Sequence, residues 1–237
     1  MSANIENKTY IVTGGSRGLG RALVEALIDA GATVLSAQRQ AEDGVQHENV
    51  HNFSVNLSDE TSIAAFCQHL PASIDGIIGN AGLLGDICPI VEGEANVWLD
   101  TQFVNVAANY LILRHITGAM KAAPYCRGVF MTSRSAYKGK TEWSAYSASK
   151  AGLDALIMAF AAEMADTNVK VNLFSPGPMR TDMRAAAVPS EDPMSIPTPD
   201  VLAPAVLGLL AEDLEHTGKI FDYSSGEFCM VRLPEPL

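Results

Sequence analysis

Short apolar runs alternate with longer segments of helical period along most of this chain. Residues 9–12 (Thr-Tyr-Ile-Val) are apolar and β-prone. Residues 18–30 then place Leu19, Leu23, Ala26 and Leu27 along one side of a helix. The same pattern predicts strands over 33–37, 51–57, 74–79, 128–132 and 169–174, and a last edge strand over 219–223. Helices are predicted over about 59–70, 96–123 and 144–165. Apolar strands separated by helices predict an α/β fold, because parallel strands need crossover connections and are covered on both faces. The expected architecture is a doubly wound parallel sheet of about seven strands.

No repeat or linker divides the chain, so residues 1–237 are expected to form one domain. The exception is an excursion at about 177–204: the stretch 176–204 carries seven prolines and predicts a long irregular loop. Loops of that length inside compact domains are usually lids or binding segments, and Met179, Met183 and Val188 give this one apolar side chains to lay over something.

Composition narrows the function. Apolar residues make up 48% and charged residues 18%, as in a compact folded protein. The net charge of -11 excludes non-specific nucleic-acid binding, which needs a basic face. No stretch approaches the roughly 18 apolar residues of a membrane span, and residues 1–8 lack the apolar run of a secretory leader. The cytoplasm is the expected compartment. Cys67, Cys88, Cys126 and Cys229 show neither CxxC pairing nor ligand spacing, and His47, His51, His69, His115 and His216 show no ligand spacing either. Buried reduced thiols and no metal are expected. Asp75 and Asp154 have no evident partner.

The first strand runs into Thr13-Gly14-Gly15-Ser16-Arg17-Gly18-Leu19-Gly20 and then a helix. Glycines at such a turn let the backbone approach a pyrophosphate, whose charge meets the helix N-terminus. The spacing is T-G-x-x-x-G-x-G, neither the dinucleotide G-x-G-x-x-G nor the triphosphatase P-loop. An NAD site usually places an acid about 20 positions on, against the ribose 2′-hydroxyl. Here that position is Gln38, followed by Arg39. With Arg17 it offers two guanidinium groups suited to a 2′-phosphate, which favours NADP(H), with NAD(H) second.

Tyr146 and Lys150 lie four apart at the start of a helix, hence on one face. A free phenol has a pKa of about 10, and a neighbouring ammonium lowers it toward the range of an acid–base catalyst. Ser133 precedes Tyr146 by 13 residues and ends the fifth strand, at the sheet edge where open α/β folds bind ligands.

In this order the chain resembles the short-chain dehydrogenase/reductase family: TGGSRGLG, Gly79-Asn80-Ala81-Gly82, Asn105, Ser133, YSASK, and Pro176-Gly177-Pro178-Met179-Arg180-Thr181. The resemblance spans nearly the whole chain and implies a Rossmann-like fold with hydride transfer between NADP(H) and a carbonyl or alcohol substrate. It makes Tyr146 the proton donor or acceptor, with Lys150 lowering its pKa and holding the nicotinamide ribose. Ser133 would bond the substrate carbonyl, and Asn105 would position a water relay from Lys150. It assigns Gly14, Ser16, Arg17, Gly18, Leu19, Gly20, Arg39, Asn56, Leu57, Asn80, Ala81, Gly82, Tyr146, Lys150, Pro176, Gly177, Met179 and Thr181 to the cofactor cleft. It also implies a homodimer or homotetramer. Ser135, Trp143 and Met183 are candidate substrate contacts.

Three positions depart from the family pattern. Asn56 stands where an Asp often contacts adenine, Gly79 replaces the first Asn of Asn-Asn-Ala-Gly, and Arg134-Ser135 follow the serine where smaller residues are common. Two other functions compete. A non-catalytic NADP(H)-binding regulator on the same fold would be expected to have lost Tyr146 or Lys150. A nucleotide-sugar epimerase or dehydratase is disfavoured by the glycine spacing.

Overall fold

The computed structural model describes residues 4–231. One eight-stranded sheet organises them, in the order β3-β2-β1-β4-β5-β6-β7-β8. The strands are β1 Thr9–Thr13, β2 Thr33–Gln38, β3 Val50–Ser54, β4 Gly76–Gly79, β5 Cys126–Met131, β6 Val169–Ser175, β7 Ile220–Asp222 and β8 Glu227–Cys229. The first seven pair in parallel, and only β8 is antiparallel, against β7. The sheet is therefore one strand larger than expected, and β7 is not its edge. A tight turn makes the difference: Gly226 donates from its N–H to the Asp222 carbonyl at 2.9 Å. Three residues of β8 are too few to leave a periodic signal.

Helices α1 (Gly18–Asp29), α2 (Glu60–Gln68), α3 (Ala95–Gln102), α4 (Ala108–Ala122) and α5 (Ser144–Glu163) cover the two faces. Two buried clusters result. One is built on Ile77, Phe130, Ile112 and Ile157, the other on Val12, Leu23, Phe174 and Val206. β5 is buried along its whole length, which accounts for the apolar run from Val129 to Met131, while its one charged residue, Arg127, donates to backbone carbonyls, among them that of Ala211 at 3.1 Å. Among the described residues, no helix is long and apolar enough to cross a membrane.

Two predicted elements change. The helix expected over 96–123 is interrupted by a wide turn at Phe103–Ala107 that holds Asn105. Such turns disturb the regular helix ladder and are common at functional sites. The excursion is ordered: α6 (Asp182–Ala187) is followed by single turns at Pro193–Ser195 and Pro199–Leu202, which run into α7 (Ala203–Gly208). Prolines at the first positions of these turns fix the backbone without costing a helical hydrogen bond, so a proline-rich segment becomes structure rather than loop. Its far end is core, with Leu202 and Val206 fully buried.

The cysteine expectation needs correction. Cys126 is buried, Cys67 and Cys88 are partly covered, and Cys229 is exposed on the edge strand. Among the described residues, no group of His, Cys, Asp or Glu is arranged to hold a metal.

Candidate active site

The order of β1 between β2 and β4 reverses the winding of the sheet, opening a crevice at the carboxyl ends of β1 and β4. Thr13 closes β1, and its hydroxyl accepts from the backbone N–H groups of Asn80 and Ala81, each at 3.1 Å. The Asn80 side chain donates to the Thr13 and Gly14 carbonyls at 3.0 and 3.2 Å. The turns after β1 and β4 are thus one hydrogen-bonded unit. Gly14 has φ 73°, and a Cβ on Gly20 would stand 2.0 Å from the Gly14 carbonyl oxygen. Neither position admits a side chain without moving backbone.

This cradle fits a dinucleotide phosphate. Arg17 occupies the N-cap of α1 and supplies no capping hydrogen bond, so the N–H groups of the first turn have no side-chain acceptor. Leu19 is buried and packs into the core, which leaves its backbone for a ligand. Arg17 and Arg39 are both exposed beside the cradle. Gln38 is buried, bonding Ser36 and Asn52 at 2.6 and 2.8 Å, so the side chain free at the end of β2 is Arg39. Neither Gln38 nor Arg39 is an acid, and the acids nearest in the chain are Glu42 and Asp43 in the single turn that follows. Asn56 is exposed, with its Oδ1 accepting from the Ser58 N–H at 3.0 Å, and Leu57 packs its side chain against the core.

The second group assembles on α5 and the end of β5. Tyr146, Lys150 and Asp154 are spaced by four along one face of α5. Lys150 is buried, and its Nζ donates to the Met131 carbonyl at 2.7 Å and lies 5.5 Å from the Tyr146 ring centroid. Burial pushes the Lys150 pKa down to about 8, while the Asp154 carboxylate works against that fall. Against the expectation of a phenol lowered by Lys150, burial raises the Tyr146 pKa to about 12, and what opposes the rise is a hydrogen bond with Ser133. Ser133 Oγ in turn accepts from the Ser135 hydroxyl at 2.9 Å. Serine, tyrosine and lysine therefore converge as the spacing predicted.

Asn105 is fully buried. Its amide donates to the Leu83 carbonyl (2.9 Å) and Ser149 Oγ (2.8 Å), and its Oδ1 accepts from the Leu83 N–H at 2.7 Å. It clamps the Gly82 turn to α5. A Cβ on Gly82 would sit 3.6 Å from Lys150 Nζ, which measures how close that turn comes to the lysine. Gly79, where the family pattern has Asn, is explained by its neighbour: a Cβ there would lie 2.3 Å from the Phe130 ring. The large residue on β5 has taken the space.

A cavity of about 540 Å³ opens in front of Tyr146. Ser133, Ser135, Trp143, Pro176, Gly177, Met179, Thr181 and Met183 line it. Trp143 is buried, its ring edge-on to Tyr146 at 5.9 Å, so it both packs and faces the cavity. Thr181 Oγ1 accepts from the Arg184 N–H at 3.2 Å and caps α6. Arg17 approaches Asp182 at 3.7 Å, tying the glycine turn to the same segment.

Sequence reasoning missed Asp154 and Tyr137. Asp154 is buried, and the Tyr137 hydroxyl donates to its carboxylate in a short contact. Burial raises the Asp154 pKa, offset by the Thr132 and Tyr137 hydroxyls and by Lys150. The signal was the four-residue spacing from Lys150. Asp75 also has a partner, accepting from the Thr9 N–H at 2.8 Å. Arg134 turns toward Asp222, with two bonds of 2.7 Å, rather than lying free for a ligand.

The family model for short chain dehydrogenase matches residues 8–192. The oxidoreductase YciK of Escherichia coli (strain K12) is 32% identical over 243 residues, 94% of each chain. The 3-oxoacyl-[acyl-carrier-protein] reductase FabG of Aquifex aeolicus is 29% identical over 96% of this chain and all of its own. A solved short chain dehydrogenase from Shigella flexneri 2a, complexed with NADP, superposes with a TM-score of 0.86 at 29% identity, covering 94% of this chain and 99% of that one. A family match over most of the length, beside a full-length oxidoreductase relative above 30% identity, decides the matter: this chain belongs to the short-chain dehydrogenase family of oxidoreductases.

Proposed function

We propose that this protein is an NADP(H)-dependent oxidoreductase acting on a carbonyl or alcohol group, with Tyr146 as its general acid and base. The observation that carries this is the convergence of Ser133 and Tyr146 on one wall of the cavity, with Lys150 buried behind them and its Nζ 5.5 Å from the Tyr146 ring centroid. NADP-bound relatives of the same fold, and relatives named for reducing a 3-oxoacyl group, support the cofactor and the carbonyl chemistry.

Gly14, Ser16, Gly18, Leu19 and Gly20 would hold the pyrophosphate through backbone, Arg17 and Arg39 the 2′-phosphate. Asn80, Ala81, Gly82, Pro176, Gly177, Met179 and Thr181 would border the nicotinamide half. Asn56 and Leu57 would meet the adenine through what their own contacts leave free. When bound, the reduced cofactor supplies the hydride. The chain's own residues handle the proton: Tyr146, with its pKa near 12, stays protonated at neutral pH and donates to the carbonyl oxygen. Ser133 hydrogen-bonds that oxygen and stabilises its growing charge. Lys150 below about pH 8 is a cation, which stabilises the phenolate left behind. Asn105 would support the relay by fixing the turn beside Lys150.

A homo-oligomer is part of this proposal. Ala151, Ala155, Ala159 and Ala162 lie on the exposed face of α5, and Trp98, Leu99 and Tyr110 are exposed on α3 and α4, so their chain leaves these apolar surfaces uncovered.

The decisive test is Tyr146→Phe. NADPH oxidation across a panel of ketones and aldehydes should fall by about 10²–10⁴-fold, while NADPH affinity measured by fluorescence stays within a few-fold. Unchanged turnover would remove Tyr146 from the mechanism.

A further inference from the structure

The charges around the cavity run against the composition of the chain. The protein carries 27 Asp and Glu against 16 Lys and Arg, yet none of the 19 residues lining this cavity is acidic and four are basic. Those four are Arg134, Lys138, Lys140 and Arg184. Two of them are neutralised within the wall: Arg134 by Asp222, and Arg184 by Glu191 through bonds of 2.7 and 2.6 Å. Lys138 and Lys140 have no carboxylate within ion-pairing distance among the described residues.

Lys140 is placed rather than loose. Its Nζ lies 3.3 Å from the centroid of the Trp143 ring, and that ring stands edge-on to Tyr146 at 5.9 Å. A cation held on an aromatic face keeps its remaining donors for a ligand. Burial, and to a lesser extent the Arg184 charge, push the Lys140 pKa down. The floor between cation and phenol is apolar, made by Trp143, Met179 and Met183.

We propose that the substrate is a carbonyl compound bearing a carboxylate or phosphate, received by Lys138 and Lys140 while its apolar body lies on Trp143 and the two methionines. The inference rests on the oxidoreductase reading above and assigns that site its substrate class. Lys140 Nζ and the Tyr146 ring stand 3.3 and 5.9 Å from the same Trp143 centroid, so an aryl aldehyde with a para anion probes the span between them.

The test uses three aldehydes of one skeleton: 4-carboxybenzaldehyde, 4-formylphenyl phosphate and methyl 4-formylbenzoate. Binding to the NADP(H)-loaded protein is measured by calorimetry and turnover by NADPH absorbance, in the wild type, Lys138→Gln/Lys140→Gln and Lys140→Arg. At least one anionic aldehyde should be preferred over the ester by about tenfold in Kd and in kcat/KM. The double variant should lose that preference, Lys140→Arg should keep it, and added salt should weaken it. Whether carboxylate or phosphate wins tells which anion the site takes. Equal binding of ester and anions overturns the proposal, as does failure of all three to bind. So does a double variant that raises the KM for NADPH instead, since the lysines would then serve the cofactor. Selective anion binding without any turnover leaves the anion site standing and overturns the oxidoreductase reading.

Discussion

The two walls of the cavity are built by opposite means. On the α5 side, Tyr146, Lys150 and Asp154 stand on one rigid helix, and Lys150 and Asp154 are almost wholly buried. Facing it, the segment 176–204 is half exposed and tied by local devices: the Thr181 cap, the Arg184–Glu191 pair, and Arg180 donating to the Pro193 carbonyl at 2.8 Å. One wall invests in burial, which shifts proton affinities by desolvation. The other invests in short-range polar ties, which are individually weak and can part. Under the proposed function, chemistry falls to the first and ligand admission to the second.

The sharpest way to break this contrast is at Lys150. Lys150→Met keeps the stem and removes the ammonium. If the buried wall sets proton affinities, kcat should fall by roughly 10²–10⁴-fold. Wild-type carbonyl reduction should decline as pH rises through about 8, where Lys150 loses its proton, and the variant should lack that decline. A kcat within a few-fold of wild type would show that burial at this position serves packing only.

Asp154 tests the same wall one helical turn further on. It is a positioning residue: its carboxylate supports the ammonium form of Lys150 from below, and its own contact is the Tyr137 hydroxyl. Removing the negative charge lets the Lys150 pKa fall further. In Asp154→Asn the alkaline decline should therefore move to lower pH, with little change in rate well below it. An unmoved profile would make Asp154 a structural residue. Tyr137→Phe removes the bond but keeps the charge, so the profile should move less than in Asp154→Asn.

These same residues show what the sequence could disclose. Tyr146, Lys150 and Ser133 were legible because helix period and strand end place them, whatever the rest of the chain does. Asp154 occupied an equally regular position and still read as partnerless. Its partner Tyr137 sits in the irregular stretch between β5 and α5, where no period links residue to residue. Arg134 and Asp222 are 88 positions apart, and only the finished sheet makes them neighbours. The Phe103–Ala107 turn escaped notice because one wide turn barely disturbs an apolar stripe. The seven prolines predicted irregularity, yet their fixed φ angles start short turns that end in the core. Strands and catalytic spacing are local facts; the cavity's far wall is a sum of distant contacts.

The smallest expected effect falls on that far wall. Thr181 caps α6 and borders the cradle, with its Cγ2 only 3.3 Å from where a Cβ on Gly18 would be. Thr181→Ala removes the cap, worth about 1 kcal/mol to a helix of six residues. Because the core end of the segment is anchored by Leu202 and Val206, the loss should be local. Limited proteolysis should then cut within 182–199 several-fold faster in the absence of ligand, and NADP(H) should restore protection. The KM for cofactor should rise a few-fold while kcat at saturation, set by the opposite wall, holds. A fall in kcat comparable to that of Lys150→Met would mean that the two walls do not divide the work, because the segment would then be positioning the reacting groups as well as admitting them.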